Sequence, residues 1–297
     1  MFFQKSVIVA HDGSFHTDDV FACATLSLFL EKEKKNFKII RTRKPEKIAE
    51  GDFVVDVGSV YDEEKNRFDH HQTGGAGKRE NGIPYASFGL VWKKYGKEIC
   101  ESDRVAKEID NLLVSSIDAV DNGFDLYTQK VKGVMSFSVG DTINFLFNDG
   151  EKDKNFLQAV NFAKKVLSNI ISSINRSVSR REKVESAYKE STDKKIVIVK
   201  DRVTRGDIWL ALVNFEEPLF AIFQGLNDDD WNIVANRINM DSFMSRKPFP
   251  ASWGGLEQEN LARITEVPDA IFCHRSLFLA KAKSLDGAIK LAQKALE

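Results

Sequence analysis

The sequence predicts an α/β chain in two domains, the second smaller than the first, and three observations carry that expectation. A β-branched run, Ser6-Val7-Ile8-Val9-Ala10, leads through a polar loop into a periodic apolar segment, which is the strand, loop and helix opening of an α/β fold. Beyond residue 150 the character changes, and the last part of the chain alternates strand-like and helix-like segments. At 297 residues, 42% apolar with 22 Phe, the chain is long for one domain and has ample material for a core.

Taken in order, the first loop is His11-Asp12-Gly13-Ser14-Phe15-His16-Thr17-Asp18-Asp19, and Val20 to Leu30 follow as a helix with Thr17 or Asp18 at its N-cap. Phe37 to Ile40 and Phe53 to Val57 read as buried strands, the second with Asp56 inside it, where a carboxylate is costly unless neutralised or bound to a cation. The pair His70-His71 comes next, and the glycine-rich stretch Gly74 to Gly82 reads as a mobile loop. Helical patterns resume over Tyr85 to Tyr95 and Val105 to Ile117. Phe156, Val160, Ala163, Leu167, Ile170 and Ile174 form a narrow seam on one long helix, a spacing that a core helix, a bridge between domains or a homodimer contact all satisfy. Strands are expected at Lys195 to Val199, Leu219 to Phe223, Trp231 to Ala235 and Ala270 to Phe272, with a closing helix over Leu285 to Leu296.

The formal net charge of −1 argues against bulk coating of nucleic acid, yet residues 151–205 hold 14 Lys and Arg against 7 Asp and Glu. That basic stretch is either a phosphate-gripping surface or a solvated helix face. Cys23, Cys100 and Cys273 lack any C-x-x-C spacing, which fits a reducing compartment and argues against both a disulfide framework and a thiolate zinc site. Met1 to Lys5 has no signal-peptide character and no apolar run approaches the ~20 residues that span a bilayer, so a soluble cytoplasmic protein with no membrane partner is expected.

The chemistry lies in the histidines and the acids beside them. Divalent ions such as Mn²⁺ take imidazole and carboxylate donors, and two adjacent ions need about six, one of them a bridging carboxylate. The chain offers His11, His16 and Asp18 in the first loop, Asp56 at a strand end, His71 in the double histidine, and Asp118 or Asp121 after a helix. Each comes from a different strand or loop end, as sites at the crevice of an α/β sheet do.

His11-x-Gly-x-Phe-His16-x-Asp18-Asp, Val55-Asp56-Val-Gly, Phe68-Asp69-His70-His71-Gln72 and Ile117-Asp118-Ala-Val-Asp121-Asn-Gly123 resemble the successive motifs of the DHH phosphoesterase superfamily. More closely, they resemble the melanocyte-proliferating-gene exonuclease family, and the likeness extends to Trp253-Gly254-Gly255-Leu256 and Phe272-Cys273-His274-Arg275-Ser276. The resemblance implies a DHH-like parallel-sheet catalytic domain over 1–150, a helical connector over 151–190 and a smaller α/β substrate-binding domain over 191–297. It implies two Mn²⁺-type ions, with Mg²⁺, Co²⁺ or Zn²⁺ as other occupants. His11 and His16 serve one ion, His71 with Asp118 or Asp121 the other, and Asp18 and Asp56 are shared. Asp69 orients its neighbours and His70 takes a catalytic or phosphate-contacting role. One departure is visible: the common first motif is His-x-x-x-Asp-x-Asp, whereas here Phe15 stands at the expected position and His16 one later, so an imidazole replaces a carboxylate.

The implied activity is a metal-dependent phosphodiesterase, a 3′-to-5′ exonuclease on RNA, with Arg237, His274, Arg275 and the basic stretch around Arg180 gripping phosphate. Trp253 either stacks on a base or anchors packing. The same residues also allow a hydrolase of pyrophosphate, a cyclic dinucleotide or a short oligonucleotide, and a non-catalytic RNA-binding protein that keeps the fold.

Overall fold

The computed structural model describes residues 5–147 and 150–297, so Met1 to Gln4 of the leading segment lie outside the described residues. The chain divides into two compact units, residues 1–175 and 176–297.

In the first unit, β1 (Ser6–Ala10), α1 (Thr17–Lys32), β2 (Phe37–Arg41), α2 (Pro45–Ala49), β3 (Phe53–Val55), β4 (Tyr61–Asp62) and β5 (Arg67–Phe68) build a five-stranded sheet of order β2-β1-β3-β5-β4. The pairs β1/β2, β1/β3 and β3/β5 are parallel, and only β4 runs antiparallel. The chain leaves β1 towards β2 on one side and returns on the other as β3, which makes the carboxyl ends of β1 and β3 the switch point of the sheet.

Helix α3 (Ser87–Cys100) packs on α1 through Phe88 and Phe21, whose ring centroids are 5.4 Å apart. Helices α4 (Asp103–Ile109) and α5 (Ser115–Asp121) are one rod interrupted by a π turn over Asp110–Val114, and α6 (Val139–Phe147) follows. Phe15, Phe21, Phe68, Phe88 and Phe156 are all buried, and each such side chain contributes about 1.5–3 kcal/mol.

The long helix is α7 (Lys152–Glu190). Its first half belongs to the first unit, with Phe156, Val160, Ala163 and Leu167 buried and Phe156 edge-on to Phe15 at 5.3 Å. Its second half belongs to the second unit, where Val184 and Tyr188 join an apolar cluster. The helix is therefore shared between the units, and the division falls at residue 175 inside it. For the first four seam positions, core packing is the reading the burial supports.

The second unit holds β6 (Ile196–Arg202), α8 (Arg205–Leu212), β7 (Phe220–Gln224), β8 (Trp231–Ala235), a 3-10 turn (Ala251–Trp253), α9 (Gln258–Thr265), β9 (Ala270–Cys273), β10 (Leu279–Ala282) and α10 (Leu285–Lys294). Its sheet has the order β6-β7-β8-β10-β9, parallel only between β6 and β7. Trp253 is buried and stacked on Phe249 with centroids 5.9 Å apart, so it anchors packing. All three cysteines are free and buried. Among the described residues, no helix is long and apolar enough to cross a membrane.

Candidate metal centre

The site residues of the first unit stand one step beyond the carboxyl ends of three parallel strands. His11 follows β1, Asp56 follows β3, and Asp69, His70 and His71 follow β5. Asp56 is not inside a strand, as its apolar flanks suggested. It sits just past one at φ +55°, a left-handed conformation that Asp tolerates better than most residues and that turns its side chain out of the ladder. Its N–H still donates to the carbonyl of Phe68 at 3.1 Å.

Among the described residues, three overlapping groups each have donor atoms within 4.8 Å of one another: His11, His16 and Asp56; Asp56, His70 and His71; and Asp18, His70 and Asp121. Asp56 and His70 are each shared by two groups. His11 Nδ1 lies 2.9 Å from the Asp12 carbonyl, which fixes the ring so that Nε2 faces Asp19 Oδ2 at 3.0 Å and Asp56 Oδ2 at 3.3 Å. His70 Nε2 is buried, 3.1 Å from Asp121 Oδ2 and 3.4 Å from Asp56 Oδ1, without hydrogen-bond alignment to either. A ring nitrogen aimed at two carboxylates is a seat for a cation or a proton.

Charge in the site is unbalanced in the same sense. Burial pushes the Asp18 carboxyl well above the usual carboxylate range, and the charges of Asp56, Asp121 and Asp118 add to it. Burial opposes a charged imidazole, yet the facing carboxylates of Asp19 and Asp56 outweigh it and raise His11 from 6.5 to about 10. His70 behaves alike: against burial, Asp121 and Asp56 raise it to about 10. Asp56 moves the other way, since His11 and His70 overcome its burial and hold it below the usual range. Converging carboxylates, two enclosed imidazoles and two buried polar atoms without hydrogen-bond partners, Asp19 Oδ2 and His70 Nε2, fit a divalent metal centre.

Both neighbouring histidines belong to donor groups. His70, expected to face substrate, has a side chain only 8% exposed and takes part in two of them, whereas His71, expected as a ligand, takes part in one and has a side chain 59% exposed. Asp69 is buried and holds His71 twice, accepting its backbone N–H at 3.0 Å and facing its Nδ1 at 2.8 Å, while its other oxygen accepts the N–H of Ser59.

Asp118 and Asp121 also separate. Asp121 joins the donors, whereas Asp118 is bound 2.6 Å from Arg79 Nη1 and accepts the N–H of Gly89 at 3.0 Å. A Cβ at Gly89 would lie 1.8 Å from Asp118 Oδ2, so this approach requires glycine. Arg79 pairs with both oxygens of Asp110 as well, and its guanidinium covers the Tyr85 ring at 4.4 Å. The glycine-rich stretch expected to be mobile is thus pinned at its far end by a buried ion-pair network. Burial still raises Asp118 to about 7 against the pull of Arg79.

Asp18 is fully buried, yet its oxygens accept the N–H groups of Phe88 at 2.7 Å and Ser87 at 3.1 Å, at the positive end of α3. His16 precedes α1 and its N–H donates to Asp19 Oδ1 at 2.9 Å. The N-cap is thus one residue before the expected Thr17 and two before Asp18. Asp19 was not singled out as a ligand from the sequence, although the spacing His16-x-x-Asp19 is that of a capping pair and carried the signal.

A cavity of about 430 Å³ opens beside the donors, lined by His16, Asp18 and Asp121 together with Tyr127, Ser138 and Ile143. Ligand pockets run from roughly 300 to 1,000 Å³, so it has room for one nucleotide-sized group.

In the second unit, Arg237 lies over Trp209 and Phe243, His274 packs against Phe278, and Arg275 is exposed on the turn between β9 and β10. Part of the basic stretch around Arg180 is neutralised internally. Arg180 pairs with buried Asp207, Lys183 with Asp201 and Arg202 with Asp229, so Arg180 is a structural cation rather than a free phosphate grip.

The model of the MYG1 exonuclease family, described as uncharacterised protein family UPF0160, matches residues 7–296. The MYG1 protein of Chlamydia trachomatis is 33% identical, over 96% of this chain and 95% of that protein. The MYG1 protein C27H6.8 of Caenorhabditis elegans is 29% identical over 99% and 96%, and the human MYG1 exonuclease 28% identical over 97% and 85%. A crystal structure of exonuclease RecJ bound to manganese aligns over 99% of this chain and 91% of that one at 13% identity and a TM-score of 0.29.

Proposed function

The chain belongs to the MYG1 exonuclease family, and from that premise we propose that it is a metal-dependent phosphodiesterase that removes nucleotides from the 3′ end of single-stranded RNA. The observation that carries the reading is the overlap of three donor groups through Asp56 and His70 at the carboxyl ends of parallel strands. His11, His16 and Asp56 would hold one ion, and Asp18, His70 and Asp121 the other, with Asp56 between them. When bound, two Mn²⁺-type ions supply the positive charge that a phosphodiester needs as water attacks it.

The protein's own groups do the rest. Asp12 and Asp69 orient His11 and His71 through their second ring nitrogens. Asp118 holds Arg79 and takes no ligand role. His71, half exposed and buttressed by Asp69, faces outward where it can hydrogen-bond a phosphate oxygen or carry a proton to the leaving group. The cavity beside His16, Asp18 and Asp121 takes the terminal nucleoside, and its size favours release of one unit at a time. Arg237, His274 and Arg275 of the second unit act on substrate.

The test uses protein stripped with EDTA and reloaded with Mn²⁺, Mg²⁺, Co²⁺ or Zn²⁺. Stepwise shortening of a 5′-labelled single-stranded RNA from its 3′ end, with pyrophosphate left intact, is the expected result. Rapid hydrolysis of pyrophosphate with RNA left intact would move the reading to a small phosphate substrate. Tight RNA binding without cleavage by any of the four ions would move it to a binding protein.

A further inference from the structure

Most cations of the second unit with described partners are matched by carboxylates or backbone carbonyls. Arg180 has Asp207, Arg202 has Asp229, Lys281 has Asp228, and Arg246 donates to carbonyls of the segment from Val213 to Pro218. Arg205 and Arg237 differ. Among the described residues neither has a carboxylate partner, and both lie on the same aromatic ring. The Arg237 guanidinium carbon is 3.8 Å from the centroid of Trp209 and that of Arg205 is 5.1 Å from it.

Like charges collected on one ring are costly unless an anion joins them. Desolvation and the charge of Arg237 together hold Arg205 below its usual range. Trp209 itself is fixed, since it is buried and its Nε1–H donates to the Ala235 carbonyl at 3.1 Å. The platform is therefore built before any ligand arrives.

The array continues at both ends. Arg205 also lies 5.1 Å from the centroid of Phe278, whose ring is 4.5 Å from that of His274. At the other end Arg237 is 4.7 Å from the Phe243 ring, and Phe243 is 89% exposed. A large aromatic left in water beside two unmatched guanidiniums has the composition of a single-strand site, where bases stack on rings and phosphates meet arginines.

We propose that Arg205 and Arg237, carried on Trp209, bind a backbone phosphate of single-stranded nucleic acid, and that Phe243 stacks on an adjoining base. This deepens the phosphodiesterase reading and rests on it only for the reason such a strand is bound. It names a substrate class, because neither pyrophosphate nor a mononucleotide offers both a base and the neighbouring backbone phosphate that the array spans.

The test measures binding of a fluorescein-labelled single-stranded RNA decamer to the full chain in EDTA, where no cleavage intervenes, across a salt series. Arg205→Gln/Arg237→Gln should raise Kd at least about tenfold and flatten the slope of log K against log salt by about 0.7, the value for one phosphate contact on a single strand. Phe243→Ala, a change in water and harmless to packing, should raise Kd about fivefold or more with the salt slope unchanged. Wild-type affinity in both variants, or no binding by the wild type, would overturn the proposal. A wild type that binds the decamer but cuts nothing with any metal would sink the hydrolase reading and leave this one standing. Cleavage that persists while both variants bind as tightly as wild type would do the reverse.

Discussion

The acid cluster of residues 1–175 and the arginine pair of residues 176–297 are both gatherings of like charge, but they differ in how far they are withdrawn from water. Asp18 and Asp19 are fully buried, Asp56 is buried beside them, and the first two are held by hydrogen bonds from their own unit. Arg205 is exposed and rests on the face of an indole. Charge buried to that degree demands a partner that can be stripped of its own water and held by several donors, which describes a divalent ion. Charge at a surface is screened by salt and suits a partner that must come and go. One chain thus separates permanent neutralisation from transient recognition, and each half can be broken independently.

The largest effect is expected at the centre of the acid cluster. Asp56→Asn keeps the shape and tolerates the left-handed backbone, but it removes the charge shared by two donor groups. Metal-dependent hydrolysis should fall by about a thousandfold or more, since the charge stabilisation supplied by bound ions is worth several kcal/mol. Turnover within tenfold of wild type, measured with saturating Mn²⁺, would remove Asp56 from the centre of the account.

Next in size is Arg79→Gln. It leaves Asp118 buried against Gly89 without its cation, and breaking a buried pair from one side costs about 3–5 kcal/mol. Urea denaturation should register that loss, and a change below about 1 kcal/mol would show that the ion pair does not hold the loop.

The slope of stability with pH separates the two clusters cleanly. In metal-free protein the folded pKa values of His11 and His70, about 10, lie above the ordinary 6.5. Their stabilisation is therefore complete below pH 6.5 and lost as pH rises towards 10. Asp118, raised to about 7, works in the same direction between its ordinary value of 3.8 and neutrality. The melting temperature in EDTA should fall from pH 6.5 to 10, and Mn²⁺ should restore it most at the alkaline end, because the ion displaces protons from both rings. A melting temperature that rises with pH in EDTA would contradict this. The contribution of the arginine pair on Trp209 should respond to salt and not to pH.

How much of this was legible in the sequence varied with the range of the interactions involved. Trp231 to Ala235 reads as a strand and is β8, because its burial is written into its own side chains. Elements of four to eight residues, such as α2, α9 and β10, carry too few turns or alternations to stand out and are held by their neighbours. Within the site, residue types were legible because histidines and an acid beside an apolar run are rare. Their division of labour was not. Asp118 and Asp121 are separated by Arg79, which lies 39 positions upstream of Asp118, and only the folded chain brings it there. Asp18 and Asp19 are adjacent, but about 100° apart on α1, so one meets α3 and the other turns back to His11 and His16. The pair Arg205 and Trp209 stood at i and i+4 on α8, a spacing that places them on one face and was readable in advance.

The most direct measurement is the anomalous scattering of crystals of the full chain soaked in Mn²⁺. The account predicts two peaks less than about 4 Å apart, one touching His11 and His16 and the other His70, Asp18 and Asp121, with Asp56 reaching both. A single peak at saturating Mn²⁺, two peaks that do not share Asp56, or none would contradict it.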